Sequence, residues 1–169
     1  MPEQFESKRD EKGIRSKNAK LPPILVGDER RLTQVLINLV KNASKFTTEG
    51  QIEVKMSYDC AHSSLIVHVR DTGSGIARRD LAKLFNRFGK LERNARQNSE
   101  GIGLGLTIVK AIVERTGGKI VAKSDGLGKG STFCFNMKMP AFENEQQAKC
   151  YLHHFQDNYD SKFLGHAID

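Results

Sequence analysis

The chain reads as an α+β protein, a two-layer sandwich with helices on one face of a sheet. Three observations predict this: a long helix-periodic segment at Arg30–Lys45, a pair of alternating strands directly after it, and a second helix followed by a second strand pair. Residues 1–29 are mostly polar, with Lys12-Gly13-Ile14-Arg15 as a short strand and Pro22-Pro23 turning the chain before Ile24-Leu25-Val26. Asp28 stands where a helix N-cap belongs, and Leu32, Val35, Leu36, Leu39, Val40 and Ala43 then recur at helical spacing as one apolar stripe. After Thr47-Thr48-Glu49-Gly50, Ile52, Val54, Met56 and Tyr58 alternate with Gln51, Glu53, Lys55 and Ser57, as in a half-buried strand. A second strand, Leu65–Arg70, follows a hairpin-like connection. Beyond the glycine-containing turn Asp71–Ile76, a short helix at Asp80–Phe85 leads into a polar, basic stretch through Glu100, expected to be mobile. Gly101–Gly105 opens another helix, with Leu106, Val109, Ile112 and Val113 on one side and Gly117-Gly118 as its stop. Strands at Lys119–Ser124 and Ser131–Met139 are joined by Gly126-Leu127-Gly128-Lys129-Gly130. Pro140 closes the domain, giving residues 1–140 as one unit and 141–169 as a polar tail or truncated linker.

With 169 residues, 38% of them hydrophobic and 28% charged, the chain can bury one good core. Its most apolar run is interrupted by Asn38, which excludes a transmembrane helix, and its N-terminus lacks the apolar core of a secretory signal. A cytoplasmic location, or the cytoplasmic portion of a membrane-anchored parent, is therefore expected. Cys60, Cys134 and Cys150 are odd in number, widely spaced and without metal-ligand spacing, so they read as reduced thiols. The formal charge of +7 raises the prospect of a polyanionic partner. Most of the excess sits in residues 78–96, where Arg78, Arg79, Lys83, Arg87, Lys90, Arg93 and Arg96 face only Asp80 and Glu92.

Three motifs can carry chemistry. On the long helix, Asn38, Asn42 and Lys45 project from one polar flank beside the apolar stripe. An asparagine carbonyl is a hard donor suited to Mg²⁺, and a lysine can meet a phosphate, although an isolated flank of this kind is more often simply solvated. Asp71-Thr72-Gly73-Ser74-Gly75-Ile76 follows a strand, so its carboxylate can accept from an exocyclic amine while the glycines let backbone approach a flat ring; a plain strand-exit turn fits the same pattern. Gly101-Ile102-Gly103-Leu104-Gly105-Leu106 opens a helix whose N–H groups and dipole suit a phosphate. It is neither a P-loop, since no Gly-Lys-Ser/Thr follows, nor a dinucleotide fingerprint, since no strand precedes it in a βαβ unit.

Together and in this order, the motifs resemble the catalytic ATP-binding domain of sensor and hybrid histidine kinases, in the superfamily shared with type II topoisomerases, Hsp90 and the mismatch-repair ATPase. The resemblance runs from about Phe5 to Pro140. The N box is matched within Asp28–Gly50, the G1 box by Asp71–Ile76, the F box by Leu84-Phe85-Asn86-Arg87-Phe88, the G2 box by Gly101–Leu106 and the last strand by Gly130-Ser131-Thr132-Phe133. It implies a Bergerat-type ATP-binding fold, a two-layer sandwich with a mixed, mostly antiparallel sheet. By the same resemblance Asn42 would coordinate a Mg²⁺ bridging the ATP phosphates, with Asn38 beside it, Lys45 near the phosphates and Phe46 against the adenine. Asp71 would accept from the adenine amine, supported by Thr132 through a hydrogen bond or a water, while Gly73, Gly75 and Ile76 line the base pocket. Gly101, Gly103, Leu104 and Gly105 would contact phosphate through backbone, Lys90 would reach the γ-phosphate, and residues from about Asn86 to Glu100 would form the ATP lid.

Water-hydrolysing members of the superfamily carry a glutamate four residues before the metal asparagine, as general base. Here that position is Asn38, an amide that takes no proton at neutral pH, so phosphoryl transfer is expected rather than hydrolysis. The phosphoacceptor histidine of the family lies upstream of the N box, yet no histidine precedes His62, so no catalytic histidine is expected in cis. The implied partners are a histidine-bearing dimerisation domain and a response-regulator receiver domain, in cis or in trans. The alternative is a non-catalytic ATP-binding regulatory or scaffolding module. Nucleic acid is not expected as a partner, because Phe85 and Phe88, the aromatic residues among the basic ones, belong to the F box.

Overall fold

The computed structural model describes residues 14–18, 21–85 and 105–153. In chain order its elements are β1 (Ile14–Asn18), β2 (Ile24–Leu25), α1 (Glu29–Phe46), β3 (Ile52–Asp59), β4 (Ser64–Asp71), α2 (Arg78–Leu81), α3 (Gly105–Arg115), β5 (Ile120–Lys123), β6 (Ser131–Lys138) and β7 (Ala141–Phe142), with residues 145–153 helical as α4.

α1 begins where its cap chemistry allows. The Asp28 carboxylate accepts from the Arg31 backbone N–H at 3.0 Å and from Arg31 Nε at 2.9 Å, satisfying a first-turn donor. The backbone N–H bond, more than the adjacent guanidinium, holds that carboxyl below its ordinary pKa. Val35, Leu39 and Ala43, four residues apart, form the buried line of the helix. α3 buries Val109, Ile112 and Val113 and ends in a Schellman motif: Gly118 N–H reaches Val113 O and Gly117 N–H reaches Glu114 O, both at 3.0 Å. Gly117 sits at φ +70°, the left-handed conformation this stop requires.

The sheet order is β1-β3-β4-β6-β5; β1 runs parallel to β3 and the other pairs are antiparallel. Period-2 alternation sends Ile52 and Val54, then Leu65, Val67 and Val69, then Phe133, Phe135 and Met137 to one face, which α1 and α3 cover while packing on each other. Each large apolar side chain fully buried there contributes about 1.5–3 kcal/mol. This is the α+β sandwich that the sequence predicts, with the mixed, mostly antiparallel sheet that the family resemblance implies.

Two stretches differ from expectation. The short helix predicted at 80–85 lies earlier, at Arg78–Leu81, and gives way to turns through Phe85. Ala141, expected to open a polar tail, instead starts β7, which pairs antiparallel with β2 through Ile24 with Phe142 and Leu25 with Ala141. α4 then folds back, burying Ala148 and setting Tyr151 against Phe142 with ring centroids 5.1 Å apart. Its cap explains why it forms: Asn144 Oδ1 accepts from Gln147 N–H, and Gln147 Oε1 accepts from Glu143 N–H. The expected lid, from about Asn86 to Glu100, lies outside the described residues.

Candidate functional site

The end of α1, the end of β4 and the β5–β6 turn meet at one place. Asp71, the last residue of β4, is only 5% exposed, and its carboxylate is gripped by three donors. Gly73 N–H and Ser131 N–H reach Oδ1 at 2.9 and 3.2 Å, and the Ser131 hydroxyl reaches Oδ2 at 2.5 Å. Charge-assisted bonds of this kind fix the plane of the carboxylate and leave remaining lone-pair capacity for an incoming N–H donor.

The turn after Asp71 is clamped from two sides. Ser74 N–H donates to the carbonyl of Phe46, the last residue of α1, at 2.9 Å, and Gly73 lies so close that an added Cβ would come 2.1 Å from that oxygen. Gly75, at φ +66°, packs against the Gly126 carbonyl with the same 2.1 Å clearance. Glycines are thus required here because backbone meets backbone. Ile76 is buried, and half-buried Phe46 stands at the same corner. Thr47 Oγ1 is buried beside Gly73 and is the sole such side-chain oxygen without a hydrogen-bond partner among the described residues.

On the flank of α1, Asn38 Nδ2 donates to Gln34 O at 2.9 Å, which turns its Oδ1 toward Gly105 at the start of α3. A Cβ on Gly105 would stand 3.2 Å from that oxygen. Asn42, one turn further, has no hydrogen-bond partner for its amide among the described residues. Lys45 is exposed in the last turn. An asparagine side-chain oxygen is a hard donor of the kind Mg²⁺ accepts; among the described residues no three His, Cys, Asp or Glu side chains cluster. A shallow cleft of about 520 Å³ runs along α1 past Glu29, Arg30 and Ile37 and meets the site only at Asn38, so it is distinct from the Asp71 corner.

The structure therefore brings together Phe46, Asp71, Gly73, Gly75 and Ile76 at one corner, and Asn38 with Gly105 at the α1–α3 junction; Asn42 and Lys45 follow on the same flank of α1. Lys90, Gly101, Gly103 and Leu104 lie outside the described residues. Thr132 is a correction. It pairs with Arg70 and Lys123, neighbours that face away from the helices, whereas Asp71 pairs with Ser131. A strand alternates faces, so the direct partner of the Asp71 carboxylate is Ser131, and Thr132 points to the other side of the sheet. Ser131 was missed, along with Ser124, whose hydroxyl meets the Ile76 N–H at 3.0 Å. The signal for Ser131 was its parity with Phe133 and Phe135.

A strand-end carboxylate braced by glycine turns, with that turn packed on the C-terminal end of an asparagine-bearing helix, fits a nucleotide-binding class of protein. Residues 27–141 match the family described as histidine kinase-, DNA gyrase B-, and HSP90-like ATPase, and the chain belongs to that family. A curated relative, the sensor protein SrrB of Staphylococcus aureus (strain NCTC 8325 / PS 47), is 42% identical over 113 residues, covering 67% of this chain but 19% of the relative. Full-length ShkA, solved in complex with AMPPNP, superposes with a TM-score of 0.65 at 32% identity, over 78% of this chain and 27% of ShkA. The nucleotide-free catalytic domain of the histidine kinase ThkA gives 0.61 at 28% identity, over 74% and 78% of the two chains. The chain thus spans about a fifth of the length of the curated relatives it matches. No helix among the described residues is long and apolar enough to cross a membrane.

Proposed function

We propose that this chain binds Mg²⁺·ATP between α1 and the Asp71 corner and, with a separate histidine-bearing dimerisation segment, transfers the γ-phosphate to that histidine in two-component signalling. The observation that carries the reading is the Asp71 carboxylate, buried and fixed by three donors at the end of β4, where an exocyclic amine would add a fourth. Asn42 would supply the metal's protein oxygen, and Lys45 would stand near the phosphates. Phe46 would lie against the base, with Gly73, Gly75 and Ile76 lining its pocket, and Gly105 would contribute backbone at the phosphate end with Gly101, Gly103 and Leu104. Lys90 would reach the γ-phosphate.

Asn38 supports transfer over hydrolysis. Its amide cannot take a proton from water, and its N–H₂ is already committed to the Gln34 carbonyl. The chain's contribution is then positioning and charge neutralisation: the γ-phosphoryl passes to an imidazole nitrogen, the bond to the β-phosphate oxygen breaks, and ADP leaves. A receiver domain would take the phosphoryl group onward, with the assembly on the cytoplasmic side of any anchored parent.

Titration with a non-hydrolysable ATP analogue in the presence of Mg²⁺ tests the site. Asn42→Ala and Asp71→Asn are each expected to weaken binding at least about tenfold, and unchanged affinity in both overturns the assignment. Mixing the chain with a histidine-bearing dimerisation segment and ATP tests the transfer. An acid-labile phosphohistidine is expected; intact ATP binding with no phosphohistidine would instead favour the non-catalytic module.

A further inference from the structure

The β5–β6 turn, residues 124–130, holds the opposite side of the Asp71 turn from α1, and one hydroxyl organises it. Ser124 Oγ accepts from Ile76 N–H at 3.0 Å and from Gly126 N–H at 3.3 Å, and its one proton reaches the Gly130 carbonyl at 2.6 Å, the nearer of two acceptors, the other being the Gly126 carbonyl at 3.2 Å. A serine hydroxyl has one proton and two lone pairs, so its capacity is fully used. Around it the backbone adds Gly128 N–H to Ser74 O at 2.7 Å and Gly130 N–H to Gly73 O at 3.1 Å.

We infer that Ser124 is a positioning residue for base recognition, acting at once on the two chain segments that hold the Asp71 carboxylate. This rests on the adenine-nucleotide reading of that pocket. One bond fixes Ile76, the far end of the turn that starts at Asp71. The other fixes Gly130, which packs directly on the Asp71 carbonyl and precedes Ser131, the residue whose hydroxyl and N–H hold the Asp71 carboxylate. Without the Ser124 hydroxyl, Ile76 N–H and Gly130 O both lose a side-chain partner. The turn is then held to the strand carrying Ser131 by the two backbone bonds and by the Asp71–Ser131 contacts themselves, with no side-chain bridge from the β5–β6 turn. The carboxylate depends on both pieces, since Gly73 and Ser131 each donate to it. Ser124 touches neither the carboxylate nor the expected ligand, which distinguishes positioning from direct contact.

The test compares two Mg²⁺-loaded probes, AMP-PNP and GMP-PNP, on the full chain, on Ser124→Ala and on Ser124→Thr. Ser124→Ala is expected to weaken AMP-PNP about tenfold with little change for GMP-PNP, narrowing base selectivity, and Ser124→Thr, which keeps the hydroxyl, is expected to restore most of it. Equal losses for both probes, or no loss for either, overturn the inference, because a general packing defect does not alter a selectivity ratio. In case Ser124→Ala fails to fold, amide hydrogen exchange on the unmodified chain gives an independent reading. AMP-PNP is expected to slow the Ile76 and Gly126 amides more than GMP-PNP does, and equal protection by the two overturns the inference. An unmodified chain that binds neither probe would count against the nucleotide reading itself, a separate failure.

Discussion

Ser131 and Thr132 are adjacent hydroxyl residues on β6, and exchanging each for alanine separates the roles the register gives them. Ser131→Ala removes the hydroxyl donor on Asp71 Oδ2 at a residue that is only 5% exposed. A hydrogen bond to a charged group is worth about 1.5–3 kcal/mol, and here two backbone donors remain on Oδ1, so a loss of about 2 kcal/mol is expected. For a chain of this size that lowers the melting temperature by about 4–8 °C. The freed carboxylate can also rotate, so affinity for a Mg²⁺-loaded ATP analogue should fall about tenfold. Thr132→Ala removes a half-exposed hydroxyl on the outward face and should stay within about 0.5 kcal/mol with affinity unchanged. Thermal melts followed by circular dichroism and titration calorimetry read both quantities. If Thr132→Ala weakens the analogue as much as Ser131→Ala, the register argument is wrong.

Gly73→Ala forces a Cβ to 2.1 Å from the Phe46 carbonyl, backbone against backbone, so overpacking together with loss of the Ser74 to Phe46 bond should cost about 3 kcal/mol, visible in the urea midpoint. Ending the chain after Pro140 removes β7 and α4, and the lost packing of Phe142, Ala148 and Tyr151 should lower the melting temperature by several degrees; an unchanged value would mean that α4 contributes nothing to the domain. Iodoacetamide should label the exposed Cys60 and Cys150 well before Cys134. Burial pushes the Cys134 thiol above its ordinary pKa, so less thiolate is present at neutral pH and its labelling should accelerate as pH rises; peptide mass spectrometry at pH 7 and 9 reads the order.

What the sequence disclosed follows from how local each signal is. The stripe on α1 and the alternation in β3, β4 and β6 are written within single elements, so the helix and strands appear where predicted, and Asp28 caps α1 as its position indicates. The β2–β7 pair is different. Two residues per strand, joined across more than a hundred positions of chain, leave no periodicity to read, and α4 was lost with them. Yet Asn144-Glu145-Gln146-Gln147 carries a legible capping signature, and the tail reading overlooked it because aromatic residues after Pro140 show no regular spacing.

The same distinction explains the error at Thr132. Resemblance to a family box identifies a short run, Gly130-Ser131-Thr132-Phe133, but not which of two neighbouring hydroxyls faces the core. That depends on register, and a shift of one residue exchanges the faces completely. The alternation Phe133, Phe135, Met137 fixed the parity within the strand itself, and Asp71, as the next inward residue after Leu65, Val67 and Val69, fixed it on β4. Two inward parities brought opposite one another admit one partner for the carboxylate, Ser131. Local alternation, applied to both strands before any role is carried over from a family, therefore decides a question that motif matching leaves open.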